Sequence, residues 1–194
     1  MLTKICYVGE IMSEELLIRQ CAPTLAGIKT GNIFNCDIND YDEFKTKLRA
    51  LNKKLSPKGL RILPLKHGLG RAMVYLYRPE ELKKDFSNPV AVNILKKYGY
   101  NPDNVQESII LLIKKLRSQC NFPHEIGLFL GYPPDDVKGF IDNNASKSKY
   151  VGCWKVYNNV ESAIKTFKKY NKCSCVYYDK WLNGRRIEYL AVKK

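Results

Sequence analysis

His124 and Glu125 stand together in FPHEIGLFLGYPPDDVKGF, residues 122–140, in a chain with only two histidines. Imidazole is the one side chain whose ordinary pKa lies near neutrality, so His124 is the natural proton carrier. Glu125 could orient it, and Cys21 is a candidate nucleophile if the fold brings thiol and imidazole within hydrogen-bond reach. Those three are the catalytic candidates. A second set, Lys29, Arg71, Arg78 and His124, offers the donors and positive charge that would hold a small anionic ligand. A working His124 should be partly accessible in a pocket, beside a basic or thiol neighbour.

Several sharper chemistries fail on spacing. A zinc protease motif needs a second histidine one turn after His-Glu, and here Ile126, Gly127 and Leu128 follow. Gly68-Leu69-Gly70 lacks the third glycine of a dinucleotide fingerprint and leads into a strand pattern, where the fingerprint requires a helix. Lys29-Thr30 resembles the end of a phosphate-binding loop, but Ile28 stands where its glycine should be. No residue pattern specifies a cofactor.

The seven cysteines (6, 21, 36, 120, 153, 173 and 175) are odd in number and contain no CxxC pair. Reduced thiols are the expectation, since a secreted disulfide framework would show an even set in a shorter chain. Cys173 and Cys175 are weak metal or redox candidates. On a strand their two-residue spacing would place both sulfurs on one face, with Cys36 or Cys153 as further partners.

Two other readings compete for residues 124–142. Leu130-Gly131-Tyr132 followed by Pro133 to Val137 has the glycine turn of a helix-turn-helix nucleic-acid binder. Its second helix, however, would open with Asp135 and Asp136, which repel a polyanion where a recognition helix should attract one. Ordinary punctuation also accounts for the segment: Pro123 suits a first helical position, Gly131 a helix end, and Pro134 the next helix start.

The formal charge of +14 invites a nucleic-acid partner. Of the 33 basic residues, however, 25 are lysines and 8 arginines, whereas base and phosphate recognition favours the arginine fork. The accompanying wealth of Asn, Ile and Tyr is what an AT-rich genome imposes, and the lysines fall on five separate helical segments. Nucleic acid is therefore possible but disfavoured. The N-terminus has no signal-peptide pattern, and the longest strongly apolar run, Ile109 to Ile113, is far too short to span a bilayer. A cytoplasmic protein without membrane association is expected.

The elements that must position these residues read as α+β. Ser13 caps a helix ending near Gln20, so that Cys21 lies just past its end. CAPTLAGIKTGNIFNC reads as a strand with a tight turn near Thr30-Gly31. Asp40 to Lys54 is an amphipathic helix on Tyr41, Phe44, Leu48 and Leu51. GLRILPLKHGLGRAMVYLYRP gives two strands about His67–Gly70, and Arg71 and Arg78 fall on opposite faces of the second. Pro79 and Asn88-Pro89 open short helices. Asn101-Pro102-Asp103 starts the longest one, whose core face is Val105, Ile109, Leu112, Ile113 and Leu116. Two more short helices, a polar loop at 143–149, the strand YVGCWKVY and a helix over 162–170 follow. CSCVYYDKWLNGRRIEYLAV reads as a closing hairpin turning at Asn183-Gly184. The sum is a single domain over 1–194, with about five or six largely antiparallel strands and helices inserted between hairpins.

Taken together, CAPTLAGIKTGNIF, RAMVYLYRP, FPHEIGLFLGYPPDDVKGFI and GCWKVY resemble, in order and spacing, the domain-of-unknown-function 3793 family. The resemblance covers essentially the whole chain, and FPHEIGLFLGYPP is its most specific block. It implies a cytosolic, single-domain, clostridial-type protein with no assigned reaction and no catalytic residues to carry over. It also implies a redox or metal setting, with a flavodoxin-like protein as a conceivable partner. The functional expectation is a protein that binds a small anionic ligand or cofactor around the 124 helix mouth, with turnover left open.

Overall fold

The computed structural model describes residues 10–118 and 122–194. Cys6, Cys120 and the signal-peptide reading of the first nine residues fall outside the described residues. The fold is α+β, but its five described strands form two sheets, one of three strands and one of two, and not one large sheet.

The three-stranded sheet begins as the sequence suggests. β2 (Arg61–Gly68) and β3 (Arg71–Tyr77) form a hairpin whose Leu69 and Gly70 both have positive φ, the geometry a two-residue turn between twisted strands needs. β1 (Gly31–Asp37) pairs antiparallel with the other side of β3, giving the order β1-β3-β2. Central β3 is covered on both faces. Ala72, Val74 and Leu76 face one apolar cluster; Tyr75 and Tyr77 face another. Pro64 is tolerated because β2 is an edge strand, and the register shifts between Pro64 and Lys66.

One face of the sheet packs on α1 (Glu14–Leu25) and α2 (Tyr41–Leu55). Ser13 accepts from the Leu16 amide and Asp40 from Glu43, each filling an orphan donor of a helix start. The other face packs on α3 (Pro79–Phe86), α4 (Pro89–Lys97), α5 (Val105–Ser118), α6 (Ile126–Phe129) and α7 (Pro134–Asp142). On α5, Val105, Ile109, Leu112 and Leu116 are buried, while Ile113 is half-buried.

Four readings need correction. First, α1 does not stop at Gln20. It runs through Pro23 to Leu25, so Cys21 is an interior, fully buried helix residue. Thr30-Gly31 accordingly leads from a loop into β1 and is not a hairpin turn. Second, YVGCWKVY is not one strand. It folds back as β4 (Tyr150–Val151) and β5 (Lys155–Val156), with Gly152 pressed so closely on Phe167 that no β-carbon fits there.

Third, the closing hairpin is α8 (Val160–Leu182), followed by the single turn α9 (Ile187–Leu190). Phe167, Tyr170, Tyr177 and Trp181 recur at helical spacing and turn inward, which overrides the local strand-like richness in aromatics. Gly184, at φ +78, ends the helix instead of turning a hairpin. Fourth, α8, at 23 residues, is the longest helix described, exceeding the 14 of α5. No described helix is long and apolar enough to cross a membrane.

Candidate functional site

Glu125 and His124 part company. Glu125 is buried, and its Oε1 accepts from Lys115 Nζ at 3.0 Å and from the Tyr100 hydroxyl at 2.9 Å. Lys115 lies over the Tyr100 ring, 4.2 Å from its centroid, and also donates to the Tyr98 carbonyl. Glu125 is therefore the anchor that ties the turn before α6 to α5; no bond to His124 orients the imidazole. Burial and the neighbouring Glu125 push the Tyr100 phenol well above its usual range, so it stays a donor.

His124, held on that anchored turn, is exposed and borders a cleft of about 280 Å³. The cleft is walled mainly by aromatic rings: Phe122, Tyr132, Phe140 and Trp154, with Val137 and Val151 between them. The His124 ring meets Phe140 edge-on, with centroids 5.1 Å apart, and Tyr132 lies against Trp154 at 5.0 Å. Lys155 brings an ammonium group to the same wall, 5.8 Å from the Phe140 centroid, while donating to the Ala145 carbonyl.

Asp136 holds this wall in place. Its Oδ2 accepts from the Trp154 indole at 2.8 Å, and its Oδ1 accepts from the amides of Tyr157 and Asn158. A buried carboxylate with three donors is satisfied, and it stitches the first turn of α7 to the β4–β5 hairpin. The same arrangement removes the geometry a helix-turn-helix would need. α6 is a single turn whose four residues are all buried, and in the first turn of α7 Asp136 and Val137 are buried as well, while Asp135 is exposed.

Lys29 reaches the cleft only through Tyr132. Its ammonium lies 5.4 Å from the centroid of that ring and donates to Asn32 Oδ1 at 2.5 Å. The approach is set by Gly131, whose φ of +70 turns the chain after α6 onto Thr30; a β-carbon there would come within 2.6 Å of Thr30 Oγ1. Burial pulls Lys29 down to about 8, with Cys21 and Cys153 partly offsetting it. Cys21 is pushed up to about 12 by the same burial, with Lys29 and Asn32 opposing. A fully buried thiol that stays protonated is a poor nucleophile. None of Cys21, Lys29, Arg71 or Arg78 is among the described residues lining the cleft.

Arg78 is buried and directs its guanidinium at four carbonyls. Nε donates to Thr24, Nη1 to Lys58, and Nη2 to both Leu25 and Val192. It closes the C-terminal end of α1, the Lys58 turn and the chain's last residues on one another. Arg71 is at the opposite end of β3, exposed, with Nε 3.2 Å from Asp37 in a separate hollow that also contains Glu10 and Asn35. The structure thus gathers His124, Tyr132 and Lys29 in one region and disperses the two arginines.

Cys173 and Cys175 sit on α8, where a two-residue step turns about 200° around the helix. The first is half-buried and the second exposed, so the strand geometry that would have put both sulfurs on one face is not present. No cluster of three metal-ligating side chains occurs among the described residues. The residues that sequence reasoning missed are Phe140, Trp154, Lys155 and Asp136. Their signal was the density of aromatics between 122 and 154 and a carboxylate three residues after a proline cap.

An α+β scaffold that displays one aromatic-walled cleft, bordered by a histidine and a lysine, is the class of protein these observations define. A family model described as a protein of unknown function (DUF3793) matches residues 17–191, and the chain belongs to that family. No curated protein and no solved structure matches it.

Proposed function

We propose that the His124 cleft binds a small planar ligand whose aromatic body lies between Trp154, Tyr132 and Phe140. An acidic group of that ligand meets His124 and Lys155 at the rim. The observation that carries this reading is the make-up of the cleft: rings and aliphatic side chains form most of its walls, His124 and Lys155 border it, and the one lining carboxylate, Asp136, is buried and occupied by three donors. A bare inorganic anion fits poorly, because burying charge among apolar walls without donors is costly. An aromatic acid or ring cofactor uses both features, gaining stacking from the walls and a charge-assisted bond at the rim.

The test is a thermal-shift screen pairing planar acids (flavin mononucleotide, haem, nucleoside monophosphates, 1-anilinonaphthalene-8-sulfonate) with ringless anions such as phosphate and citrate. At least one planar acid should raise the melting temperature, and the ringless anions should not. His124→Gln should weaken the bound compound roughly five-fold, the scale of one hydrogen bond of about 1 kcal/mol. Stabilisation by phosphate alone, or none by any planar acid, counts against the reading.

A further inference from the structure

α8 carries a feature that the cleft does not use. Lys165, Lys168, Lys169, Lys172 and Lys180 are all exposed, and at about 100° per residue they fall within roughly 120° of arc on one side of the helix, an arc that also takes in Glu161 and Asp179. The opposite side, with Phe167, Tyr170, Tyr177 and Trp181, is packed against the body of the protein. From Lys165 to Lys180 the stripe runs about 22 Å along the axis.

Other lysine-bearing helices mix paired and unpaired lysines: among the described residues Lys53 on α2, Lys83 on α3, Lys96 and Lys97 on α4 and Lys114 on α5 also have no carboxylate partner. On α2, Lys45 pairs with Asp42 and Lys47 with Glu43; on α3, Lys84 pairs with Glu81; on α7, Lys138 pairs with Asp142. On α8 Lys165 pairs with Glu161, but among the described residues Lys168, Lys169, Lys172 and Lys180 have no carboxylate partner. Lys165 with Lys169, and Lys168 with Lys172, are like charges one turn apart, a spacing that destabilises a helix. What sets α8 apart is that four unpaired lysines share one side of one helix.

We propose that this face of α8 docks on the sugar-phosphate backbone of nucleic acid without reading its bases. Lys165, Lys168, Lys169 and Lys172, about one turn apart, and Lys180, about two turns further on, act as point charges against a line of phosphates, and displacement of condensed counterions drives the association. The absence of arginine from the stripe removes the bidentate fork that reads guanine. A lipid surface fits less well, because Val176 is the one large apolar side chain exposed on the stripe, leaving nothing to insert below the headgroups. The surface is separate from the His124 cleft and does not depend on how that cleft is used.

The experiment measures fluorescence anisotropy of a labelled 20-nucleotide oligo-dT between 25 and 200 mM salt. Wild-type protein should bind at low salt and release steeply as salt rises. The triple variant Lys168→Gln/Lys169→Gln/Lys172→Gln should give a log–log salt slope shallower by about 2, at about 0.7 for each phosphate no longer neutralised. The control triple Lys53→Gln/Lys83→Gln/Lys96→Gln, exposed lysines on other helices, should keep the wild-type slope. The α8 triple should melt no lower than wild type, since it relieves repulsion, and a single Lys169→Glu should weaken binding by itself. Absence of binding at 25 mM salt would overturn the proposal. So would equal losses in the two triples, or capture by phosphatidylserine vesicles with no oligonucleotide binding.

Discussion

Glu125 turns its carboxylate to Lys115, 3.0 Å away, and leaves the neighbouring His124 facing the cleft. Adjacent residues therefore have opposite energetic roles. Glu125→Ala strands a largely buried ammonium and the Tyr100 hydroxyl, and should cost about 3 kcal/mol, the low end for breaking a buried pair. His124→Gln, at an exposed position, should stay within about 0.5 kcal/mol of wild type. Urea unfolding of the two variants checks the contrast; equal losses would contradict this division of roles.

Arg78→Met should be among the most damaging single changes. It removes the guanidinium that donates to the carbonyls of Thr24, Leu25, Lys58 and Val192 while keeping an aliphatic stem; Thr24 and Leu25 still accept from the amides of Gly27 and Val192. A loss of about 3 kcal/mol is expected, from several charge-assisted hydrogen bonds lost at once. Arg78→Lys should recover only part of it, since one ammonium cannot span four acceptors. Denaturation midpoints of the two variants decide this.

Asp136→Ala removes one acceptor from three donors, including the Trp154 indole. About 3 kcal/mol of stability should be lost, on the scale of hydrogen bonds to a charged group. The Trp154 wall should loosen as well, and a red shift of tryptophan emission in the folded variant would report it.

Lys29 gives a pH signature. Its folded pKa, lowered to about 8 chiefly by burial, lies below the ordinary 10.5, so between those values the unfolded chain binds more protons at this site and stability rises with pH. Cys21, raised to about 12 from 9.0, opposes this above pH 9, where the unfolded thiol ionises and the folded one does not. The clean window is pH 8 to 9. Across it, Lys29→Met should show a smaller rise in urea midpoint than wild type; parallel profiles would show that Lys29 titrates normally.

Much of the scaffold was legible because local signals agreed with the final packing. The β2–β3 hairpin, α2 with its Asp40 cap, the Pro79 and Asn88-Pro89 helix starts, and the Gly131 stop all follow from turn and cap chemistry. α8 was misread because CSCVYYDKWL is rich in strand formers. Its helical period shows only over the longer span from Phe167 to Trp181, and tertiary burial decides it. The sequence ends α1 near Gln20, yet the helix runs through Pro23 to Leu25, where Arg78 adds donors to the last carbonyls. His124 stood out as a rare titratable group. Its setting did not, because the walls of the cleft come from the segment before α6, from α6 and the Tyr132 turn after it, from α7 and from the β4–β5 hairpin, which Asp136 ties to α7.

The proposed ligand, an aromatic acid, would sit against Trp154 in the His124 cleft. The direct measurement uses a Trp181→Phe protein, in which Trp154 is the one remaining indole. Its emission is followed during titration with 1-anilinonaphthalene-8-sulfonate. Saturable quenching with one-to-one stoichiometry is predicted, roughly five-fold weaker after either His124→Gln or Lys155→Gln, about 1 kcal/mol for each rim contact. Emission that does not respond, or a response that both rim variants leave unchanged, would contradict the account.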